Sequence, residues 1–336
     1  MKLSSIIMTA AISMTMQLGA SWVDVHVIDS QKRESLVDIN VGAWFSGHIL
    51  YGDALDEKYA AKTDHDGNCS FHSVRKNPDA CVFTEDILGC YSCQLTGLRI
   101  DRDDDSRLCV TLAVQRIVNP IPLYARTVEG YCPDSDFFGV GNDSVSYDLI
   151  CDDWLPPRGT GTVADIVFTR YGKEDTGVHT NVVSKDWSFA VQTHRYPLKI
   201  AFPGRGNGVK ETTPLAGSGL RIREAPEEGY NDFVMSYKGK GNDGARFTTW
   251  DGPSKGCYCF RIRSEFDESG KLKSCLYGKV YDGFWFDYVM KKDRSIIDIA
   301  RLKFTYYLNK TPLERNLEYD SKRNLNPDRE FRRMAP

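Results

Sequence analysis

From Cys257 to Leu308 apolar and polar residues alternate with a period of two, the pattern of strands that bury one face. Two turn signals divide the run. Asp267-Glu268-Ser269-Gly270 separates Tyr258–Phe266 from Lys271–Tyr281 as a four-residue hairpin loop, and Asp282-Gly283 reads as a two-residue hairpin turn. Folding both hairpins gathers Phe260, Ile262, Phe266, Cys275, Tyr277, Tyr281, Phe284, Phe286, Tyr288 and Met290 on one face, the expected core. Arg261, Arg263, Glu265, Ser274, Trp285 and Asp287 fall on the other, with Leu272, Leu276 and Val280 among them. Ala300, Leu302, Phe304, Tyr306 and Leu308 then alternate against Arg301, Lys303 and Thr305 and extend the sheet.

The same alternation runs through the N-terminal third. Val23, Val25 and Val27 interleave with Asp24 and His26, and Val37, Ile39, Val41, Ala43 and Phe45 form the next strand. Ala60 to Phe71 reads as strand, Asp66-Gly67 turn, strand, and Leu108 to Val114 as a late strand after the acidic loop Asp101–Asp105. Residues 119–160 form an extended connection, because Pro120 and Pro122 fix φ and push their predecessors out of the helical region. From residue 161 to 336 a larger antiparallel domain is expected, with strands at Val163–Arg170, Trp187–Gln192 and Leu198–Phe202 and a polar C-terminal tail. Pro203 to Gly229 is a long glycine-rich loop, of the kind that carries function. The pattern allows at most one short helix, at Arg294–Arg301. The fold class is all-β: a small sandwich at 22–118, then a larger sandwich-like domain.

The Val-rich first strand, the Val37–Phe45 strand and the Thr63-Asp64-x-Asp66-Gly67-x-x-x-Phe71 turn resemble the transthyretin-like or carboxypeptidase-regulatory-like β-sandwich. Such modules serve as accessory, structural or binding domains, so the resemblance implies no catalytic residues. The stretch Asp152-Asp153-Trp154-Leu155-Pro156-Pro157, with Thr305–Asn309 and Arg315–Asp320, is similar to an uncharacterised family of secreted bacterial β-proteins. That family implies no assigned activity.

Lys2, the apolar run Ile6–Leu18 and Gly19-Ala20-Ser21 have the order of a secretory signal, so residues 1–21 are expected to be a cleaved leader and the mature chain to start at Ser21 or Trp22. The run is shorter than the ~20 residues needed to span a bilayer, and no other stretch is long enough to leave a transmembrane segment in the mature chain. The expected location is secreted, periplasmic or cell-surface. The formal charge of −3 gives no reason to expect nucleic acid, whose phosphates require a basic surface. Ten cysteines in an exported chain favour structural disulfides, with Cys69, Cys81, Cys90, Cys93, Cys109, Cys132, Cys151, Cys257 and Cys259 as candidates. The expected register puts Cys275 on the face opposite Cys257 and Cys259, out of reach of both.

The candidate chemistry is sparse. Gly204-x-Gly206-x-Gly208 lacks the third glycine and following helix of a dinucleotide fingerprint and reads as a flexible loop. Asp101, Asp103 and Asp105 open like a calcium loop, but Ser106 stands where glycine is needed and Leu112 where a bidentate Glu is needed, so no cofactor is assigned. His65 and His72 flank the Asp-Gly turn with Asp64 and Asp66, as polar residues facing water do. Trp285, flanked by Arg261, Arg263 and Asp287 on the polar face, suits the face and hydroxyls of a sugar ring, or a peptide. The favoured function is therefore a secreted, non-catalytic binding or structural protein with an extracellular glycan or protein partner. The alternative is a glycan-directed hydrolase using a carboxylate pair, with Asp152/Asp153 beside Trp154 and Asp287 beside Trp285 as its acids.

Overall fold

The computed structural model describes residues 21–46, 57–73, 79–85, 87, 89–100, 107–131, 144–171, 174–184, 187–212, 222–242, 247–251, 257–290 and 296–326. The leader, the Asp101–Asp105 loop and Cys132 lie outside the described residues. Among those described every element is a strand, apart from one 3-10 turn at Ser321–Arg323. No described helix is long and apolar enough to cross a membrane. The all-β expectation holds. The chain divides into two compact units: residues 21–114 apart from Gly89–Tyr91, and Gly89–Tyr91 with residues 115–326.

The first unit contains β1 (Ser21–Asp29), β2 (Asn40–Ser46), β3 (Glu57–Lys62), β4 (Asn68–Ser73), β5 (Asp79–Thr84), β6 (Gln94–Arg99) and β7 (Arg107–Val114). They form a sheet β4-β1-β7, in which β1 and β7 run parallel, and a sheet β3-β2-β5-β6. The alternating residues behave as their spacing dictates: Val23, Val25, Val27, Phe71 and Leu112 are buried from one sheet, Val41, Ala43, Phe45 and Val82 from the other. The expected Asp66-Gly67 hairpin is corrected here. A turn does form, with Asp64 Oδ1 accepting from the backbone N–H of Asp66 and of Asn68, each at 2.9 Å. Its two strands separate, however: β3 pairs with β2 and β4 with β1. Gly67 sits at φ 79°, where a Cβ would stand 2.9 Å from that of Ser35.

The second unit begins earlier than the pattern of prolines suggests. Residues 119–160 are no mere connection; they supply β8 (Tyr124–Tyr131), β9 (Ser144–Asp148) and β10 (Asp153–Trp154). There follow β11 (Ile166–Arg170), β12 (Glu174–Ser184), β13 (Trp187–Ala201), β14 (Gly208–Thr212), β15 (Phe233–Asn242), β16 (Phe247–Asp251), β17 (Cys257–Phe266), β18 (Leu272–Met290) and β19 (Ile296–Asn309). Residues 296–301, where a short helix was allowed, are strand. One sheet has the order β10-β9-β11-β13-β15-β16, with β12 also on β13; the other has β14-β17-β18-β19-β8. Between them lies an aromatic core. Tyr147, Trp154, Phe168, Ile200 and Phe202 enter it from the first sheet; Phe260, Ile262, Val280, Phe284, Phe304 and Tyr306 enter from the second. Phe168 is fully buried, with its ring centroid 5.8 Å from Phe284 and 5.5 Å from Phe304.

Two features of β18 correct the expected register. The loop before it takes five residues, Asp267–Lys271, closed by Asp267 N–H to Lys271 O at 2.9 Å, so Ile262 pairs with Leu276 and not with Cys275. A slip of one residue exchanges the faces. Leu276 and Val280 therefore pack on the inter-sheet core, while Cys275, Tyr277 and Tyr281 point the other way. Second, Asp282-Gly283 is no hairpin turn. It is a two-residue bulge inside one continuous strand, between the pairs Tyr281↔Thr305 and Phe284↔Phe304, with Gly283 at φ 69°. Beyond the bulge Phe284 and Phe286 are in the core, as expected.

The outward face of this sheet is partly covered by chain from 222–230 and 311–325. Leu317 and Ala225 pack with Cys259, Cys275 and Tyr277, and Tyr319 packs with Tyr281 and Tyr307. Lys279, fully buried, donates from Nζ to Leu317 O at 2.6 Å and Ile222 O at 3.0 Å. Tyr91 is fixed to the same segment, donating to Tyr319 O at 2.7 Å and accepting from Tyr319 N–H at 3.0 Å.

The expected disulfides are not formed at the candidates Cys69, Cys81, Cys109, Cys151 and Cys259. Cys69, Cys81, Cys109, Cys151, Cys259 and Cys275 are free thiols. Cys69 pairs with Val25 and Cys109 with Asp24 on opposite sides of β1, so two strand spacings, ~9.6 Å, exceed the ~7 Å reach of a bridge. Cys259 and Cys275 share a face, but Cys259 stands opposite Lys279, four residues from Cys275, or ~13 Å along the strand. Distance separates them, not the sheet. Cys93 and Cys257 are buried, and Cys90 lies three residues before Cys93.

Candidate functional site

Two of the acids that the sequence offered for catalysis, Asp152 and Asp153, are held in hydrogen bonds within the fold. Asp152, at φ 60°, accepts from Tyr147 OH at 2.7 Å and Tyr306 OH at 2.8 Å on Oδ1, and from Tyr124 OH at 2.5 Å and Arg126 on Oδ2. Burial, then the hydrogen bond to Asp152, pushes Tyr124 above its ordinary range; burial and the charge of Asp152 do the same for Tyr147. These hydroxyls are donors and stay protonated. Asp153 accepts from Thr160 N–H at 2.7 Å and Thr160 Oγ1 at 2.8 Å, which lowers its pKa against a smaller effect of burial. Trp154 beside them is buried in the core.

A second acidic cluster ties the two sheets together. Arg263, in a bulge of β17 with φ 55°, donates from Nε to Asp165 Oδ1 at 2.6 Å and from Nη2 to Asp165 Oδ2 and Asp148 Oδ1, both at 2.9 Å. Burial works to raise the Asp148 carboxyl, but the backbone N–H groups of Cys151, Val163 and Thr162 overcome it and hold the group well below the usual carboxylate range. Asp165 is raised by its burial, which outweighs the opposing guanidinium of Arg263. Both carboxylates thus join β17 to the opposite sheet through one guanidinium.

The expected quartet around Trp285 is not assembled. Arg263 is spent on Asp148 and Asp165. Arg261 stands opposite Tyr277, eight residues from Trp285 along β18 or roughly 25 Å, and donates from Nε to Gly206 O at 2.5 Å with its guanidinium 4.8 Å from the Tyr230 ring. Trp285 is half-buried, with Arg301 5.2 Å from its ring centroid and Lys303 opposite it in register. Glu129 joins this surface, 2.5 Å from Arg301 and 4.0 Å from Lys303. Asp287 takes the register position opposite Arg301. His65 is exposed beside Asp66, whereas His72 stacks 5.1 Å from Trp22 on β1. Among the described residues no cluster of three or more His, Cys, Asp or Glu forms a metal site.

Among the described residues a concavity lies at the end of β13 and the start of β15. It is an open depression of about 510 Å³, lined by Lys199, Ala201, Phe202, Pro203, Gly204, Arg205, Gly206, Asp232 and Phe233. Phe233 is 44% exposed, unusual for a phenyl ring, and the Lys199 ammonium sits 4.4 Å from its centroid. Arg205 stacks 4.5 Å over Phe266. The glycine-rich stretch beneath is a pinned turn and not a flexible loop. Asn207 donates from Nδ2 to Pro203 O at 2.5 Å and accepts from Ser264 N–H at 2.9 Å. Gly206, at φ 77°, presses on Phe266, whose ring a Cβ would meet at 2.4 Å. Gly208 opens β14, paired with β17. The sequence pattern drew attention to this segment but not to Phe233, which follows the turn-like Asn231-Asp232 and has no alternation before it.

No family model and no curated protein matches the chain. The likeness to transthyretin-like sandwiches therefore stays with the sequence pattern of the first unit. Among solved structures, a streptococcal ancillary pilin matches at 13% identity and TM-score 0.22 over 54% of this chain, which spans 53% of that pilin's length. A provisionally assigned carbohydrate binding protein from Bacteroides uniformis ATCC 8492 matches at 7% identity and TM-score 0.21, over 87% of this chain and 99% of that one. The shaft pilin SpaA from Lactobacillus rhamnosus GG matches at 10% identity and TM-score 0.21, over 84% and 96%. At these values the three assign this chain to no family.

Proposed function

We propose that this chain is an exported, non-catalytic binding or structural protein whose second unit engages an extracellular ligand at the Phe233 groove. One observation carries the reading: a phenyl ring stands in an open depression with charged groups beside it, while Asp148, Asp152, Asp153 and Asp165 are held in hydrogen bonds. Exposed aromatic rings with a few polar groups around them are how concave sites orient a ligand. The test is binding of the purified chain to immobilised extracellular glycans and peptides, with Phe233→Ala as the comparator. Loss of binding with unchanged unfolding temperature supports the groove; unchanged binding removes it.

The Trp285 surface is a second reading, favoured by the indole under Arg301 with Glu129 and Lys303 at its border. Trp285→Ala in the same assay separates the two. Export is tested by terminal sequencing of protein recovered outside the cell, which should begin at Ser21 or Trp22.

A further inference from the structure

Several arginines of the second unit are paired with acids, whereas Arg261 rests on Tyr230 and a backbone carbonyl. Arg126 reaches Asp152, Arg223 reaches Glu318, Arg263 reaches Asp165, Arg301 reaches Glu129, and Arg315 reaches Glu224 and Glu227. The two groove cations differ. Lys199 and Arg205 rest on the rings of Phe233 and Phe266, and among the described residues neither has a carboxylate within ion-pair distance. A cation held on an aromatic face keeps its charge and most of its donors for another partner. With Asp232 the groove carries two positive groups and one negative, a net +1 (2 − 1).

We infer that the ligand of this groove is an acidic saccharide, its carboxylate met by Lys199 and Arg205 and its ring by Phe233. The inference rests on the reading that the groove binds a ligand at all. The two cations call for an anion, since neither pairs with an acid among the described residues. Asp232 decides between saccharide and acidic peptide. A pyranose presents hydroxyl donors to the Asp232 carboxylate and a flat C–H face to the phenyl ring, whereas the ionised side chains of an acidic peptide only accept hydrogen bonds and offer Asp232 no donor. The volume, about 510 Å³, suits one to a few sugar rings. The turn that carries Arg205 is fixed in advance by Arg261 Nε to Gly206 O at 2.5 Å and Ser264 Oγ to Gly206 O at 3.1 Å, so binding orders little backbone.

The experiment is a titration of the ¹⁵N-labelled full chain with three probes: trigalacturonate, the neutral galactose trimer of the same linkage, and hexaglutamate. Trigalacturonate is expected to shift amides around Lys199–Arg205 and Phe233. Arg205→Ala and Lys199→Ala are each expected to weaken it about tenfold, as is raising salt from about 50 mM to about 500 mM. Arg205 is exposed, so its variant keeps the wild-type spectrum and a loss of affinity is a loss of contact. If the neutral trimer binds as tightly, or Arg205→Ala is silent, the acidic class is wrong while the groove stands. If hexaglutamate binds more tightly at the same amides, the saccharide is wrong. If none of the probes moves groove amides, the inference and the reading beneath it both fall.

Discussion

Arg263→Ala is the sharpest test of how the two sheets of the second unit are held together. The side chain spans from β17 to the end of β9 and the residue before β11, and its removal leaves the Asp148 and Asp165 carboxylates, 0% and 2% exposed, without their cation. Breaking a buried pair from one side costs ~3–5 kcal/mol; with the guanidinium itself 31% exposed, the lower end, about 3 kcal/mol, is expected. For a unit of this size that lowers the unfolding temperature by roughly 6–12 °C. The dependence on pH carries the mechanism. Burial raises the Asp165 carboxyl and Arg263 opposes it, so without Arg263 it rises further. A raised folded-state value means that the folded chain binds the proton more tightly, so stability is regained as pH falls through that value. Asp148, held low, loses its contribution only below the ordinary carboxylate range, so a comparison of about pH 7 with about pH 4.5 isolates Asp165. The variant's deficit in urea unfolding should be larger at the higher pH, and adding Asp165→Asn should recover ~1–2 kcal/mol there. A deficit equal at both values, with no recovery from the second substitution, refutes the reasoning.

Phe168→Ala should cost ~3–5 kcal/mol in urea unfolding, because the ring is fully enclosed between the sheets; a loss below about 1 kcal/mol would mean that the sheets do not pack as described. Trp285→Ala should cost only about 1 kcal/mol, since the indole is half-buried and stacks on Arg301; failure to fold would return Trp285 to the core. Burial pushes the Cys259 thiol up to about 12 and raises Cys275, whereas Cys109 and Cys151 are exposed. Thiol titration of native protein should therefore label Cys109 and Cys151 first, and Cys259 and Cys275 only after denaturation; peptide mapping with the reverse order would count against the structure.

Much of the fold was legible because alternation states burial directly. Val23, Val25 and Val27, or Phe304, Tyr306 and Leu308, face one side whatever they pair with. Pairing was harder to read. The loop Asp267–Lys271 has one residue more than its turn signal suggests, and that residue alone turned Cys275 and Tyr277 from the inter-sheet core to the opposite face. The bulge at Asp282-Gly283 uses the same dipeptide as a hairpin turn, and only the partner strand distinguishes them. Thr63–Phe71 shows the same limit: the turn is local, while the destination of each strand is set by β1 and β2. The acidic locks were invisible for a related reason. Arg263 lies 98 residues from Asp165 and 115 from Asp148, and no local spacing reports such a meeting. Phe233 was missed since a single ring after a polar turn has no period.

The bulge in β18 also constrains how this chain can change length. Tyr281 faces outward and Phe284 inward, and the inserted pair between them is even in number. Deleting both Asp282 and Gly283 would make Tyr281 and Phe284 adjacent, opposite Thr305 and Phe304, with every later side chain on its present face. Deleting either one alone, unless the odd residue is taken up as a one-residue bulge, would turn Phe284 and Phe286 away from the aromatic core and bring Trp285 into it. Insertions and deletions in descendants of this sequence should therefore arrive here in twos, and a relative shorter by one residue at this point must restore the parity elsewhere in the strand.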